Sequence, residues 1–202
     1  MTYTAKEDFN TTITAASDGV NLGDTPGIIN VGSTVFIPAS FQQNFATQTT
    51  PFYIAHDGTH IWVSNYGSNT VGKYLEADGS LVGNYPVGTN PWGIVYDGTH
   101  IWVVNRTSDN IMRLDPATGG ILNTYSVGGT DPTGLEYAGG FLWINNQSGT
   151  IVEMNPVDGT ILNTLTVGGT PYGIRSDGVG NVWSCCRTSG QIHKIPTGAP
   201  LS

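Results

Sequence analysis

Four histidines and a series of acidic turns are the residues of this sequence that first suggest metal chemistry. His60 and His100 each follow the same Asp-Gly-Thr tripeptide, which begins at Asp57 and again at Asp97. A zinc site needs several ligands that converge within about 2.0–2.3 Å of the ion, so repetition on separate units explains these histidines better than ligation does. The acidic turns lack the dense Asp-x-Asp-x-Asp-Gly order of a calcium loop. We therefore predict hairpin turns here, with no catalytic residue, no metal ligand and no cofactor.

Amide and aromatic side chains form a second pattern, one that suits binding rather than catalysis. Asparagines at one depth in successive units could line a rim and offer hydrogen-bond donors and acceptors to a sugar. The alternative is that each asparagine caps its strand and bonds the backbone of the following turn, while the aromatic residues lie in the core. The predicted rim residues are Asn65, Tyr66, Asn105, Arg106, Asn146, Gln147, Trp92 and Tyr172.

Composition narrows the classes of partner. The chain of 202 residues has 7 Lys and Arg against 15 Asp and Glu, a net charge of -8. Too few cations are present to follow a phosphate backbone, so we expect no nucleic-acid partner. No apolar stretch approaches the ~20 residues of a transmembrane helix, so we expect no membrane insertion. Neither a phosphate-binding glycine loop of the strand-to-helix type nor a Ser-His-Asp set is evident.

A repeat of about 40 residues positions all of these side chains. Pro51, Pro91, Pro132 and Pro171 open four units, and Trp62, Trp102, Trp143 and Trp183 follow at matching places. Repeats of this length built from short strands are typical of β-propeller blades, which bury their faces only by stacking on a neighbour. The predicted units are 51–90, 91–131, 132–170 and 171–202.

Within the first unit we predict four strands, at 52–56, 60–65, 70–75 and 80–87. Asp-Gly and Asn-rich segments between them supply the positive φ angles of tight hairpins. Alternation along 61–64 places Trp62 on one face of the blade, where it can wedge against the next blade. The predicted fold is therefore all-β, a β-propeller of about four four-stranded blades.

Residues 1–50 do not carry the repeat, and we interpret them as an N-terminal arm with one or two strands, at 28–31 and 34–38. The fourth unit ends before its fourth strand. Propellers often close by letting a strand from one terminus complete the blade at the other. The segment 34–37 could fill that place in a closed four-bladed ring. The alternatives are that two or more chains complete a ring together, or that this chain is part of a longer assembly.

Short motifs in the units resemble a known repeat family. They are Pro-x-Gly-Ile at 91–94 and 171–174, Ile-Trp-Val-x-Asn at 61–65 and 101–105, and Asp-Pro-x-Thr-Gly at 115–119. They resemble YVTN and NHL-type propeller repeats, including those of virginiamycin B lyase, over residues 51–198. The resemblance implies a propeller fold but no single function, because such repeats serve lyases, surface proteins and interaction scaffolds.

The resemblance also implies where a lyase would hold its metal, on His and Glu residues near one face of the ring. This sequence departs from that pattern at the position three after each tryptophan, which is Asn65, Asn105, Asn146 and Cys186 rather than Glu. No catalytic residue can therefore be carried over. A metal-dependent lyase stays an alternative, as does a lectin-like or small-molecule-binding propeller.

The N-terminus and the cysteines indicate a compartment. Residues 1–8 are polar and lack the apolar segment of a secretory signal, so we expect synthesis in the cytosol. The adjacent Cys185 and Cys186 cannot staple distant strands, and we favour two free thiols on opposite faces of a strand over a vicinal disulfide. Low charge, many Thr, Asn and Gly residues and an arm suggest a non-enzymatic virion component, such as a phage tail fibre or capsid-decorating protein. We expect a homo-oligomer whose partners are protein subunits of a larger assembly and cell-surface glycans.

Overall fold

The computed structural model describes residues 43–198 in full and, before them, the backbone of four short strands. The chain divides into two compact units, Met1–Asn44 and Phe45–Ser202. In the first unit, Thr2–Thr4 (β1) pairs with Thr12–Thr14 (β2), and Ile29–Val31 (β3) pairs with Thr34–Phe36 (β4). β3 and β4 lie within the segments 28–31 and 34–38 where the sequence analysis places strands, and they form a two-stranded antiparallel sheet.

Four antiparallel sheets, one for each sequence repeat, make up the described part of the second unit. Blade 1 contains Pro51–His56 (β5), His60–Asn65 (β6), Thr70–Leu75 (β7) and Leu81–Pro86 (β8). Blade 2 contains Pro91–Tyr96 (β9), Ile101–Asn105 (β10), Asn110–Leu114 (β11) and Ile121–Ser126 (β12). Blade 3 contains Pro132–Ala138 (β13), Phe141–Asn146 (β14), Thr150–Met154 (β15) and Ile161–Thr166 (β16). Blade 4 contains Pro171–Ser176 (β17), Asn181–Cys186 (β18) and Gln191–Pro196 (β19).

The first strand of each blade lies innermost. β5 packs beside β9, β9 beside β13, and β13 beside β17, so the four sheets fan out from a shared axis. Among the described residues, β17 does not pack beside β5 in the way that the other neighbouring inner strands pack. The blades therefore form an arc whose first and last members each have one uncovered face.

Tryptophans form the seam between neighbouring blades, as the sequence predicts. Trp62 packs in one cluster with Ile94 of the next blade, and Trp102 packs with Leu135 in the same way. Trp143 repeats the contact with Ile174 of blade 4. All three indoles are fully buried. Because a large aromatic side chain buries about 150–250 Å², one per blade is enough to make a continuous core.

Glycine at the third position of the inner strand allows the blades to approach closely. A Cβ atom on Gly93 would lie 2.6 Å from the backbone oxygen of Thr133, and one on Gly134 would lie 2.6 Å from that of Tyr172. Real side chains do not tolerate such contacts, so glycine is required at these two positions, whereas blade 1 carries Tyr53 at the same place in β5. Gly173 of blade 4 would meet only the sulfur of Cys185 in its own blade, at 3.2 Å.

Blade 4 has three strands among the described residues, in agreement with the missing fourth strand noted in the sequence. Residues 34–36 of the predicted closing segment form β4, and β4 pairs with β3. Closure of the ring by that segment stays a prediction.

Candidate functional site

The three asparagines of the predicted rim are fully buried. Asn65 Nδ2 donates to Thr70 Oγ1 at 3.3 Å, and Asn105 Nδ2 donates to Asn110 Oδ1 at 2.8 Å. Asn146 Nδ2 donates to the Val127 backbone oxygen at 3.0 Å. Asn65 and Asn105 thus bond side chains at the start of the next strand, and Asn146 bonds the backbone after β12 of the preceding blade, rather than the backbone of the following turn as the alternative supposed. They are not exposed to a ligand in this structure.

The other five predicted rim residues come together at one end of the axis. Pro51 pairs with Asn65 in the antiparallel register, so each inner strand begins where the second strand of its blade ends. The residue at the second position of each inner strand therefore lies at the same end of the blade as the residue that follows the second strand. These residues contact each other within a blade and between neighbouring blades. With one further member, they form what we call the axial cluster: Phe52, Tyr66, Trp92, Arg106, Gln147 and Tyr172.

Trp92 is the centre of the axial cluster. Its ring stacks on Phe52 with centroids 4.1 Å apart, and it meets Tyr66 and Tyr172 edge to face at 5.4 and 5.7 Å. These geometries are the offset and T-shaped ones that aromatic quadrupoles favour. The side chain is 5% exposed, and its Nε1 donor has no hydrogen-bond partner in the protein. A buried N–H without an acceptor is costly, and because this atom is buried it is not open to a ligand as the rings stand.

Arg106 supplies the positive charge of the axial cluster. Its guanidinium lies 5.3 Å from the centroid of the Trp92 ring, a cation–π distance. The same group donates to Gln147 Oε1 at 3.4 Å, and its Nε lies 3.2 Å from the carboxylate of Asp131. The ion pair with Asp131 is partly exposed to solvent, so it adds little to the stability of the fold. Its main effect is to orient the guanidinium.

Phe52 is the member of the axial cluster that the prediction omitted, although it occupies the same repeat position as Trp92 and Tyr172. Its ring is 45% exposed and lies 5.2 Å from that of Tyr66. Four aromatic rings, one guanidinium and one amide thus lie together at one end of the axis. Such a surface can stack on a planar or apolar ligand face and donate hydrogen bonds beside it.

The aspartates of the first hairpin turns hold the seam tryptophans. Asp57 accepts hydrogen bonds from the backbone amides of Thr59 and His60 and, at 2.8 Å, from Trp62 Nε1. Burial alone raises the pKa of Asp57, but these hydrogen bonds outweigh it and hold the pKa well below its usual range. Asp97 and Asp177 accept from the tryptophans of their own blades at 2.6 and 3.1 Å. The prediction of hairpin turns is confirmed, and the carboxylates have a positioning role that the sequence analysis missed.

The histidines lie near single carboxylates rather than in groups. His56 is 3.1 Å from Glu76, and His60 and His100 are 3.4 and 3.8 Å from the aspartates of their own turns. Within residues 43–198, no three His, Cys, Asp or Glu side chains converge as metal ligands would. Both thiols are free, with Cys185 exposed and Cys186 buried, as the sequence predicts. No helix in the described part of the chain is long and apolar enough to cross a membrane.

Comparison with solved structures identifies the class of fold as a β-propeller. The chain is similar to Kuenenia stuttgartiensis hydrazine synthase, with a TM-score of 0.66 and 17% identity over 78% of this chain and 49% of that one. It is similar to a catalytically inactive virginiamycin B lyase from Staphylococcus aureus, with a TM-score of 0.64 and 20% identity over 72% and 51%. It is also similar to the computationally designed Ika4 protein, with a TM-score of 0.66 and 13% identity over 78% and 99%. At these identities the likeness shows the fold alone.

The chain spans about half the length of the hydrazine synthase and lyase chains, but nearly all of Ika4. No protein-family model matches the sequence, and no curated protein matches it either. The resemblance to YVTN and NHL-type repeats therefore has support at the level of the propeller fold, including the similarity to virginiamycin B lyase, and not at the level of a sequence family.

Proposed function

We propose that this chain is a non-enzymatic recognition subunit of a larger assembly, a virus particle, and that its axial cluster binds cell-surface glycan. The axial cluster is the observation that carries the proposal. It gathers aromatic rings from blades 1, 2 and 4 at one end of the axis, beside a guanidinium and an amide. Aromatic side chains of this kind offer large, rigid contact surfaces with a polar edge, as ligand-binding surfaces require.

The arrangement suits a sugar better than a charged polymer. Arg106 is already paired with Asp131, so the cluster brings little free charge to a ligand. The Gln147 amide, whose oxygen accepts from Arg106, keeps its N–H donors, which suit hydroxyl groups. The chain's net charge of -8 further disfavours polyanions as ligands.

The virion part of the proposal rests on composition and on the arm. Charged residues make up 11% of the chain, less than half of the ~25% typical of soluble domains. A surface built on Thr, Asn and Gly suits a β protein that works in an extracellular assembly. We expect residues 1–50 to attach the propeller to neighbouring subunits. If the chain without them still enters its assembly at normal occupancy, this docking role is wrong.

Glycan binding can be tested with tryptophan fluorescence and a glycan array. We expect Phe52→Ala and Tyr172→Ala to weaken binding at least tenfold, because each removes one aromatic face of the axial cluster. Tyr96→Ala is the matched control, since Tyr96 ends β9 at the opposite end of the blade from Trp92. Equal loss in Tyr96→Ala and Phe52→Ala, or no glycan bound by the intact chain, would refute this use of the axial cluster.

A lectin that acts outside any particle is the second candidate, and the same axial cluster favours it. The two candidate functions share the binding chemistry of the site and differ in whether the protein belongs to a particle. A chain that binds glycan and is recovered free of particles supports the lectin. A chain recovered at fixed stoichiometry with particle proteins supports the virion subunit.

A further inference from the structure

Blade 1 has an apolar inner face that nothing in the described chain covers. The fourth residue of the inner strand is Ile54 in blade 1, and its equivalents are Ile94, Leu135 and Ile174. The three equivalents are 3–5% exposed because each packs into the preceding blade, whereas Ile54 is 66% exposed. The same residue type at the same position is thus buried wherever a blade precedes it.

Blade 4 has the complementary face uncovered. Trp183 is 38% exposed, and Ile192 is 69% exposed. In blades 1 to 3 the equivalent residues are the seam tryptophan and an aliphatic residue of the third strand. All of them are fully buried against the following blade. Trp183, Ile192 and Cys185 line a pocket of about 410 Å³ that is mainly apolar, and Tyr53 of blade 1 also lines it. We call Ile54 with its strand the leading face, and this pocket the trailing face.

Blade 4 has three strands in the described part of the chain, and the start of the second unit has the features of a fourth strand. In blade 1, Tyr85 of β8 stands six residues before Pro91, the proline of the next repeat, and Phe45 stands six residues before Pro51. A Cβ on Gly119 would run into the Tyr85 ring, and one on Gly79 would run into the Phe45 ring in the same way. Phe45 therefore has the contact with blade 1 that Tyr85 has with blade 2.

The backbone after Phe45 follows the same course. Tyr66 N donates to Thr50 O at 2.9 Å, and the equivalent Arg106 N donates to Asn90 O at 3.0 Å. Residues 45–50 thus run along blade 1 as the end of a preceding blade's fourth strand would. They are separate from β19, the edge strand that has no fourth neighbour in the described sheet.

Charge complements these apolar faces. Lys73 stands opposite Trp62 in the sheet, and its Nζ donates at 2.7 Å to the backbone oxygen of Pro116 in the next blade. Lys194 stands opposite Trp183 in the same register, with its Nζ 5.4 Å from the ring centroid. The repeat position of Pro116 is occupied in blade 1 by Glu76. A blade 1 placed after blade 4 would therefore bring a carboxylate to an exposed lysine.

We propose that a second copy of this chain covers both faces, so that two copies form one ring. The leading face of each copy fits the trailing face of the other, and residues 43–46 of each copy become the fourth strand of the partner's blade 4. Heterologous interfaces of this kind close into a ring when the rotation permits. Two copies of the four described sheets give eight blades, within the ~4–8 blades that propellers contain.

The intrachain seams define the contacts in detail. The pairings Val71 with Tyr85 and Ile111 with Tyr125 set the register of the third and fourth strands. By the same register, Phe45 of one copy lies opposite Ile192 of the other. This assigns ring closure to residues 43–46 rather than to 34–37, and the residues tested below, Phe45, Ile54 and Ile192, are not members of the axial cluster.

Native mass tests the assembly. We expect the intact chain to have twice its mass of 21.4 kDa by light scattering at micromolar concentration. Ile54→Asp should shift the mass to that of the single chain, and Val157→Asp should not. Val157 is the matched control because it is 76% exposed but lies in a turn of blade 3. A monomeric intact chain, or a dimer unaffected by Ile54→Asp, would overturn the proposal.

Crosslinking tests the register and separates the two modes of closure. In a Cys185→Ser background, Phe45→Cys combined with Ile192→Cys should give a covalent dimer on non-reducing gels, and neither substitution alone should do so. Cysteines opposite each other on neighbouring strands lie within disulfide range. A crosslinked species with the mass of one chain would mean that blade 4 receives its own chain's segment, and would overturn the two-copy ring. Glycan binding by the Ile54→Asp monomer would leave the proposed function intact in either case.

Discussion

The pair Ile94→Ala and Ile54→Ala tests how the blades are held together, because it makes the same change at the same repeat position in opposite surroundings. Ile94 is 3% exposed and packs with Trp62 of the preceding blade, whereas Ile54 is 66% exposed. Loss of a buried Ile side chain removes apolar contact and leaves a cavity, at a cost of about 2–5 kcal/mol. Loss of an exposed one typically changes stability by about 0.5 kcal/mol or less.

We expect the free energy of unfolding to fall by about 2–5 kcal/mol in Ile94→Ala and by under 1 kcal/mol in Ile54→Ala. Urea unfolding followed by tryptophan fluorescence measures both values, since the seam tryptophans lose their burial when the blades separate. The comparison should be made at a protein concentration low enough for single chains to dominate. At higher concentration a second copy covering Ile54 should raise the cost of Ile54→Ala alone.

Equal effects of the two substitutions at low concentration would refute this account of the seam. That result would mean either that Ile54 is covered within its own chain or that the contact of Ile94 with blade 1 contributes little. A change in the slope of the unfolding curve in only one variant would point instead to blades that unfold separately.

Three further predictions concern the turns, the close approach of the blades and the thiols. Asp57→Asn should flatten the acid dependence of stability: the folded-state pKa of Asp57 lies below the ordinary 3.8, so its contribution is complete above about pH 4 and is lost as pH falls below that. Unfolding free energy measured from pH 6 to pH 2 should fall more steeply in the natural chain, and parallel curves would contradict the hydrogen-bonded turn. Gly134→Ala should cost more than about 2 kcal/mol and Gly173→Ala much less, because only the first would strike the backbone of a following blade; similar melting temperatures for the two variants would contradict the close approach. Cys185 should react with an aromatic disulfide reagent at least tenfold faster than Cys186 in dilute native protein, because Cys186 is buried and its burial raises the pKa of the thiol; equal rates would show that β18 opens readily.

Much of the fold is predictable from the sequence because its signals are local and repeated. Strands predicted at 52–56 and 60–65 are observed at Pro51–His56 and His60–Asn65. Alternation within a strand fixes the face on which Trp62 lies, and the Asp-Gly turns fix the hairpins. The period of about 40 residues then implies stacked blades, since a single sheet of this size cannot bury both faces.

The candidate site is less predictable, because it depends on contacts between residues that are far apart in the chain. Asn65 follows its tryptophan as a rim residue would, yet the paired strands bury it completely. Trp92 and Tyr172 lie 80 residues apart, and only the way that the inner strands fan around the axis brings their rings to 5.7 Å. The predicted rim omits Phe52 because the spacing of the repeats does not say which aromatic side chains converge.

The sequence by itself determined the strands, their hairpin turns, the seam residues and the repeat, because short-range geometry and a two-residue alternation decide them. Only the tertiary structure decided which side chains form the axial cluster and which faces are left uncovered. Those features depend on the angle between neighbouring blades. That angle is set by the packing of each seam and adds up over several seams, so no short stretch of sequence predicts it. The contrast between buried Ile94 and exposed Ile54, identical in type and position, is the clearest case.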